Sequence, residues 1–580
     1  MTISKVGGHT SMDKNTYLSH LRQLWHENWP ASVPREPHYP FGKVLLTDYL
    51  RKRAQITPDK PVIVYYGQEL TFRQLDDLSD HFASFLAEAG LQKGNRVAVF
   101  LPNCPQFLIA FYGILKLGCV HVPVNPMFKE HELLYELNDS GAKLIVALDQ
   151  LYPLVKAIKE NTHLQEIVTT SVWDFMPQHP TIPVHQSIQA APKQDCPGSV
   201  DLMSILQQQK PNYPKVEVSL NDTVALNYTG GTTGLPKGCE HTQYNMIYTA
   251  ATASTCGRIR IEAGVGVTYL PIFWIAGEDN AVILPIFTGN TTILLARWDV
   301  EAMLEAIHRY KVTSAGGVLD NIVELMEHPD VHKYDLSSIR NMTASSFVKK
   351  LNIEYRRQWD SLAKGNSILR EASFGMTETH TIDTFTTGMQ EDDMDLKSQP
   401  VFCGLPMPGT ELQIVDFDTK ELVPLGKEGE IVINTPSLMK SYWNRPQETR
   451  EAIKDGWLHT GDIGVLDERG YLHFLGRKKE MLKVKGMSVF PSELEVLLSK
   501  HPAVAGCGVV GRPDPEKGQV PVAFVKLRPE AEGKYSEKEL AGWCKNNMAT
   551  YKIPEVRIVT ELPLTTTGKV KKEELINRLN

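Results

Sequence analysis

Short β-branched apolar runs alternate with helix-length amphipathic stretches along the first third of the chain, which confines the fold to sheets fed by crossover helices. Val62 to Tyr66 is such a run, closed by Gly67. Thr71 then precedes Phe72, Leu75, Leu78, Phe82, Phe85 and Leu86, a spacing that predicts a helix ending at Gly90. Arg96 to Phe100 reads as a buried strand, and Leu144 to Leu148 repeats the pattern after another helical stretch. The polar, Pro-bearing stretch Gln186 to Gly198 reads as a surface connection.

Composition narrows the function classes. Of 580 residues 42% are apolar and 22% charged, ordinary globular usage that excludes disorder, collagen-like repeats and a disulfide scaffold. The net charge of −7 argues against sequence-independent nucleic-acid binding. Met1 to Tyr17 carries no apolar signal core, and Phe107 to Val122, broken by Lys116 and His121, is too short and polar to span a bilayer. The eight cysteines contain no CxxC pair and read as reduced thiols of a cytoplasmic protein. A transient contact with a membrane surface, and both a monomer and a homodimer, stay open.

Charge divides the chain near residue 476. Gly476 to Asn580 holds 19 basic and 13 acidic residues, +6 in all, whereas the first 475 residues carry −13. A small basic unit beside a large acidic one suits closure over a polyanion; the alternative is an accidental asymmetry of a solvated surface. The tail has its own folding signals: Pro491 opens a helix with Leu494, Leu497 and Leu498 on one face, and Ser536 to Glu539 is a capping box. Gly506 to Val510 and Val522 to Leu527 supply strands. We therefore divide the chain into 1–475 and 476–580.

The densest chemical signal is YTGGTTGLPKG, Tyr228 to Gly238, which follows the apolar Val224 to Leu226. Gly230, Gly231, Gly234 and Gly238 let backbone N–H groups approach an anion, Thr229, Thr232 and Thr233 add hydroxyl donors, and Lys237 adds a cation. That inventory suits a triphosphate. It is not a Walker A loop, because Lys237 lies between Pro236 and Gly238 with no Ser or Thr after it.

This loop resembles the phosphate loop of the adenylate-forming superfamily of acyl-CoA ligases, luciferases and peptide-synthetase adenylation domains. Further stretches match that superfamily in order: FGMTE (Phe374 to Glu378), TGD (Thr460 to Asp462), GRKKEMLKVKGMSVFPSELE (Gly476 to Glu495) and PLTTTGK (Pro563 to Lys569). The resemblance covers nearly the whole chain and is strongest to bacterial fatty-acyl-CoA ligases, whose N-terminal arm is similar to Trp29 to Pro34 here. It implies an α/β fold: a large N-terminal domain of parallel-rich sheets with flanking helices, and a small mobile C-terminal α+β domain. It also implies ATP, Mg²⁺ and coenzyme A as co-substrates with a small-molecule carboxylic acid.

By the same resemblance, Ser373, Phe374, Gly375, Met376 and Thr377 belong to the ATP site, with Phe374 on the adenine, Thr377 on the α-phosphate and Glu378 as the Mg²⁺ ligand. Asp462 is expected on the ribose hydroxyls, Arg477 on ribose or phosphate, and Lys569 between the acyl carboxylate and the phosphate. Lys479 falls at the hinge, and Lys483, Lys485 and Gly486 lie on the segment that lines the pantetheine tunnel in relatives. Trp274, Gly277, Glu278, Thr343, Ala344 and Ser345 are expected around the acyl pocket. There the chain departs from the pattern: Trp274 stands where relatives often have His, Thr343 to Phe347 replaces a Gly-Gly-Ala-Pro stretch, and Gln243 replaces a common His.

The expected reaction is acid, ATP and CoA to acyl-CoA, AMP and pyrophosphate, on a medium- or long-chain fatty acid. Glu278 and Asp279 qualify this: an unpaired carboxylate is costly beside hydrocarbon, so if they face the pocket an aryl or a short polar or cationic acid becomes the reading. Loading of a carrier protein and a non-catalytic nucleotide-binding relative are the further alternatives.

Overall fold

The computed structural model describes residues 14–208, 211–229, 235–397, 401–484, 487–565 and 568–579. Gly230, Gly231, Thr232, Thr233 and Gly234 of the phosphate loop, and Lys485 and Gly486 of the expected tunnel segment, lie outside them.

Two seven-stranded sheets form the larger part. One runs, edge to edge, through Leu369–Glu371, Asn341–Ser345, Ser314–Val318, Val265–Thr268, Thr291–Leu294, Pro61–Tyr65 and Gln68–Thr71, all parallel except the last pair. The other runs through Val200–Asp201, Glu166–Thr170, Leu144–Leu148, Arg96–Phe100, Val120–Pro123, Thr223–Tyr228 and Gly238–Thr242, parallel up to the closing hairpin. The helix Phe72–Glu88 starts on a capping box between Thr71 and Gln74. The apolar run after Cys104 becomes the wholly buried helix Pro105–Lys116, whose one charge, Lys116, is paired with Asp76 at 2.7 Å and Asp80 at 2.8 Å. Gln186 to Gly198 is not wholly irregular, since it opens with the short helix Gln186–Gln189.

A third sheet departs from the parallel-rich expectation. It runs through Thr384–Phe385, Val401–Pro406, Leu472–Arg477, Trp457–Leu466, Gly429–Asn434 and Glu411–Val415, and its pairs are antiparallel. Only the link 467–471, between Trp457–Leu466 and Leu472–Arg477, is too short for a parallel crossover; the links 416–428 and 435–456 are longer and still return antiparallel. The helix Lys14–Glu27 straps this sheet with Tyr17, Leu18, Leu21 and Trp25, and the Trp25 indole donates to the Gly470 carbonyl at 3.0 Å.

A fourth sheet comprises Met487–Val489, Leu482–Val484, Gly518–Leu527, Val504–Asp514 and Glu555–Val559. The helices Pro491–Leu498 and Glu537–Asn547 lie where the sequence places them, the second capped by Ser536 and Glu539. Val348 inserts into its apolar cluster beside Phe524, Leu562 and Leu575, seating this part on the first sheet. Among the described residues no helix is long and apolar enough to cross a membrane.

Candidate active site

A continuous cavity of ≈ 2880 Å³ lies where the first sheet, the third sheet and the C-terminal part meet. Single-ligand pockets are about 300–1,000 Å³, so this volume suits several substrates at once.

The phosphate segment joins the two strands of a hairpin that pairs Tyr228 with Gly238. Its ends are fixed: Thr229 donates its N–H to the Lys237 carbonyl at 2.9 Å, and Lys237 N–H returns to Thr229 Oγ1 at 3.1 Å. Lys237 Nζ then stands 3.9 Å above the ring of Tyr442, whose hydroxyl donates to Glu378 Oε1 at 2.8 Å. Next along, Trp443 and Arg445 brace the hairpin through Asp139, at 3.1 Å to its carbonyl and 3.0 Å to its carboxylate. Sequence reading missed Tyr442. Its signal was the aromatic, Pro-terminated run Tyr442 to Pro446, which spacing alone does not connect to Lys237 or Glu378.

Ser373, Phe374, Gly375, Met376, Thr377 and Glu378 all line the cavity. Phe374 is buried, donates its N–H to Thr384 Oγ1 at 2.9 Å, and lies 5.9 Å from the Phe474 ring. Phe374 thus packs in the apolar cluster of the third sheet and also lines the cavity. Gly375 tolerates no side chain, because a Cβ there would overlap the Thr381 carbonyl.

Asp462 and Arg477 are cross-strand partners in the third sheet and pair at 3.2 Å. Asp462 is only 3% exposed, and burial pushes its carboxyl up to about 6, with Arg477 and Lys569 holding it down. The neighbouring Gly461 N–H donates to Glu430, a carboxylate shared by Lys420 at 2.7 Å and His459 at 3.0 Å. Lys569 reaches into the same cavity with its side chain open to the cavity's solvent, 5.1 Å above the Phe347 ring. Its ammonium is held below the ordinary lysine range by the surrounding protein first and then by Arg477, against Asp462 and Glu480. Lys479 also lines the cavity; Lys483 is exposed and does not.

Of the expected acyl-pocket residues, Trp274, Gly277, Thr343 and Ser345 line the cavity, and two do not. Ala344 alternates to the opposite face of its strand and is wholly buried there. Glu278 turns away as well: the helical turn Ile275–Glu278 points it at the buried His121, 3.2 Å off. Asp279, next along, lines the cavity with His380 at 3.5 Å behind it. Burial and the adjacent Glu278 raise the Asp279 carboxyl well above the carboxylate range, and burial keeps His380 well below the histidine range. Gln243 is structural, accepting the Leu46 N–H at 2.7 Å.

The residues from Thr343 onward are held from behind. Glu371 accepts the Ser346 N–H at 2.9 Å, and Lys350 donates to the Ser346 and Phe347 carbonyls at 3.1 Å each. Arg370 and Glu371, which sequence reading did not single out, both line the cavity.

Comparison with known proteins agrees with this geometry. The AMP-binding enzyme family matches residues 50–443, and the AMP-binding enzyme C-terminal domain matches residues 493–569. A long-chain-fatty-acid–CoA ligase of Bacillus subtilis (strain 168) is 33% identical over 95% of this chain and 97% of its own length. A 4-coumarate–CoA ligase of Petroselinum crispum is 31% identical over 88% of this chain and 90% of its own. Among solved structures, an anthranilate CoA ligase in complex with anthranoyl-AMP superposes with a TM-score of 0.78 at 27% identity, covering 94% of this chain and 98% of that one. A Mycobacterium tuberculosis fatty acyl CoA synthetase gives 0.69 at 26%, covering 92% and 98%. With the two family matches covering most of its length, the chain belongs to the AMP-binding enzyme family.

Proposed function

We propose that this enzyme, an ATP-dependent carboxylic acid:CoA ligase working through an acyl-adenylate, acts in the cytoplasm on a medium- or long-chain fatty acid. The observation that carries the residue assignments is the position of Lys569, in one cavity with Thr377, Glu378, Asp462 and Arg477. The acid oxygen bonds to the α-phosphorus as the bond to pyrophosphate breaks; the CoA sulfur then bonds to the acyl carbon as AMP leaves. Both anions of the first step need charge neutralisation and alignment, which is the work of Lys569 and, at the phosphates, Lys237. Thr377 bonds the α-phosphate, Phe374 stacks on adenine, and Asp462 with Arg477 takes the ribose.

Glu378 fits the part of a Mg²⁺ ligand: one oxygen is committed to Tyr442, and the other has no hydrogen bond among the described residues. Among those residues no group of three or more His, Cys, Asp or Glu could hold a metal alone. The remaining ligands then come from ATP and water, the usual arrangement for Mg²⁺. The bound ion would neutralise phosphate charge. In the second step the basic unit from 476 onward pivots at Lys479 and brings the CoA thiol to the adenylate.

The fatty-acid reading is supported by the names of the relatives and by the similarity of the N-terminal arm. Asp279 on the cavity wall is what favours a second reading, an aryl or short polar or cationic acid. The test is CoA-dependent AMP release with Mg²⁺ and ATP across saturated fatty, aryl, dicarboxylic and betaine-type acids. We expect the peak among chains of fatty-acid length; a peak among short polar acids overturns that assignment. Pyrophosphate exchange without turnover on free CoA would instead identify a carrier-loading enzyme.

A further inference from the structure

Toward one edge of the first sheet the cavity wall is polar, while Val265, Val267, Ala315 and Val318 of the same sheet keep part of it apolar. Strand registers set Ser314 beside Asn341 and Thr343 beside Arg370, and all four line the cavity. Arg370 is buried at 9% exposure. It donates to Asn341 Oδ1 at 2.7 Å and to Thr386 Oγ1 at 3.1 Å, which engages two of the about five N–H donors of a guanidinium.

Among the described residues Arg370 has no carboxylate in ion-pair contact. Asp395, whose charge acts on it from a distance, is held on both oxygens by Arg356 at 2.9 and 2.6 Å. Glu371 is engaged by Ser346. The other group acting on it is the buried thiol of Cys256. Burial pulls Arg370 down to about 10, so it stays cationic at neutral pH. A buried cation without a directly bonded anion is costly, and a guanidinium fork matches a carboxylate geometrically.

The position matches the far end of a substrate. Phe347 lies under Lys569, at the reacting end. From Ser345 back to Asn341 the strand advances about 13 Å, at about 3.3 Å per residue. We propose that Arg370, with Asn341 and Ser314, receives a second carboxylate at the distal end of the acid, so that the preferred substrate is a medium-length α,ω-dicarboxylic acid. This rests on the ligase reading above and narrows its substrate.

The test compares AMP release by the full-length enzyme for mono- and dicarboxylic acids of equal length, about eight to fourteen carbons, a span set by C–C bonds near 1.5 Å. The diacid should lead in kcat/KM by about tenfold or more, as expected for a charge-assisted bidentate contact. Arg370→Met should lower the diacid-to-monoacid ratio by roughly 50-fold, and Arg370→Lys should restore part of it. Asn341→Leu should lower the same ratio less, a second variant should Arg370→Met fail to fold. Wild-type preference for the monoacid, or an unchanged ratio in both variants, overturns the proposal. AMP release with neither series but with an aryl or short polar acid overturns this proposal and leaves the ligase reading; AMP release with no acid of any of these classes removes both.

Discussion

Tyr442 donates its phenol hydrogen to Glu378 at 2.8 Å. The same ring carries Lys237 on its face, 3.9 Å from the ammonium. One aromatic side chain thus sets the spacing between a cation at the phosphate hairpin and the proposed metal-binding carboxylate. Burial and Glu378 both raise the Tyr442 phenol, so it remains a donor throughout the working pH range.

Tyr442→Phe keeps the ring under Lys237 and removes only the hydrogen bond. A hydrogen bond to a charged group contributes about 1.5–3 kcal/mol, so kcat/KM for Mg·ATP should fall about 10-fold to 100-fold, with a higher Mg²⁺ requirement. Tyr442→Ala also loses the cation–π contact, about 0.5–2 kcal/mol more, and should be worse. Steady-state titration of Mg²⁺ and ATP checks this. Equal defects in the two variants would leave the ring's contact with Lys237 without a role, and an unimpaired Tyr442→Phe would leave the hydroxyl without one.

Lys569→Ala should separate the two half-reactions. Adenylation, followed as acid-dependent pyrophosphate exchange, should drop by about 100-fold or more, the scale seen when a transition-state charge contact is removed. Thioester formation from preformed acyl-adenylate should change by less than about threefold, because no phosphate is attacked in that step. Equal losses in both assays would place the lysine elsewhere in the cycle.

Much of the first two sheets was legible because each strand is a short apolar run and each helix carries a cap or a glycine stop, as at Thr71 and Gly90. The third sheet was not. Asp462 and Arg477 were each visible inside a motif, yet their pairing depends on the register of a hairpin whose strands carry mixed, motif-driven residues. Glu278 and Asp279 show the same limit: adjacent acids on one helical turn face different neighbours, and only packing against His121 separates their fates. Arg370 and Glu371 sit charged inside a three-residue strand, a sequence signal of buried polarity that periodicity alone passes over.

The proposed ribose contact of Asp462 should make nucleotide binding pH-dependent. With its carboxyl at about 6, it loses charge as pH falls through that value, and kcat/KM for ATP should fall with it. The stability effect has the opposite sense. The folded value lies above the ordinary 3.8, so stability on the order of 3 kcal/mol, present below 3.8, is lost as pH rises from there to about 6. Asp462→Asn should therefore flatten the ATP profile and raise Tm near pH 8 by about twice as much as near pH 5. A variant less stable than wild type at pH 8 would mean that Arg477 more than offsets the burial.

Asp279 decides whether the acyl cavity has a charged wall. Burial first, then Glu278, raises its carboxyl well above 3.8, and His380 at 3.5 Å is itself kept neutral by burial. A neutral acid beside a neutral imidazole is compatible with an aliphatic chain, whereas an ion pair there would favour a cationic one. For a carboxyl raised on folding, stability is lost as pH rises through the folded value. Thermal melts from neutral to alkaline pH should show wild type losing Tm faster than Asp279→Asn, which cannot ionise. Parallel curves would mean that Asp279 is already charged at neutral pH. The cavity wall would then carry a negative charge, and the short polar or cationic acid would displace the aliphatic one.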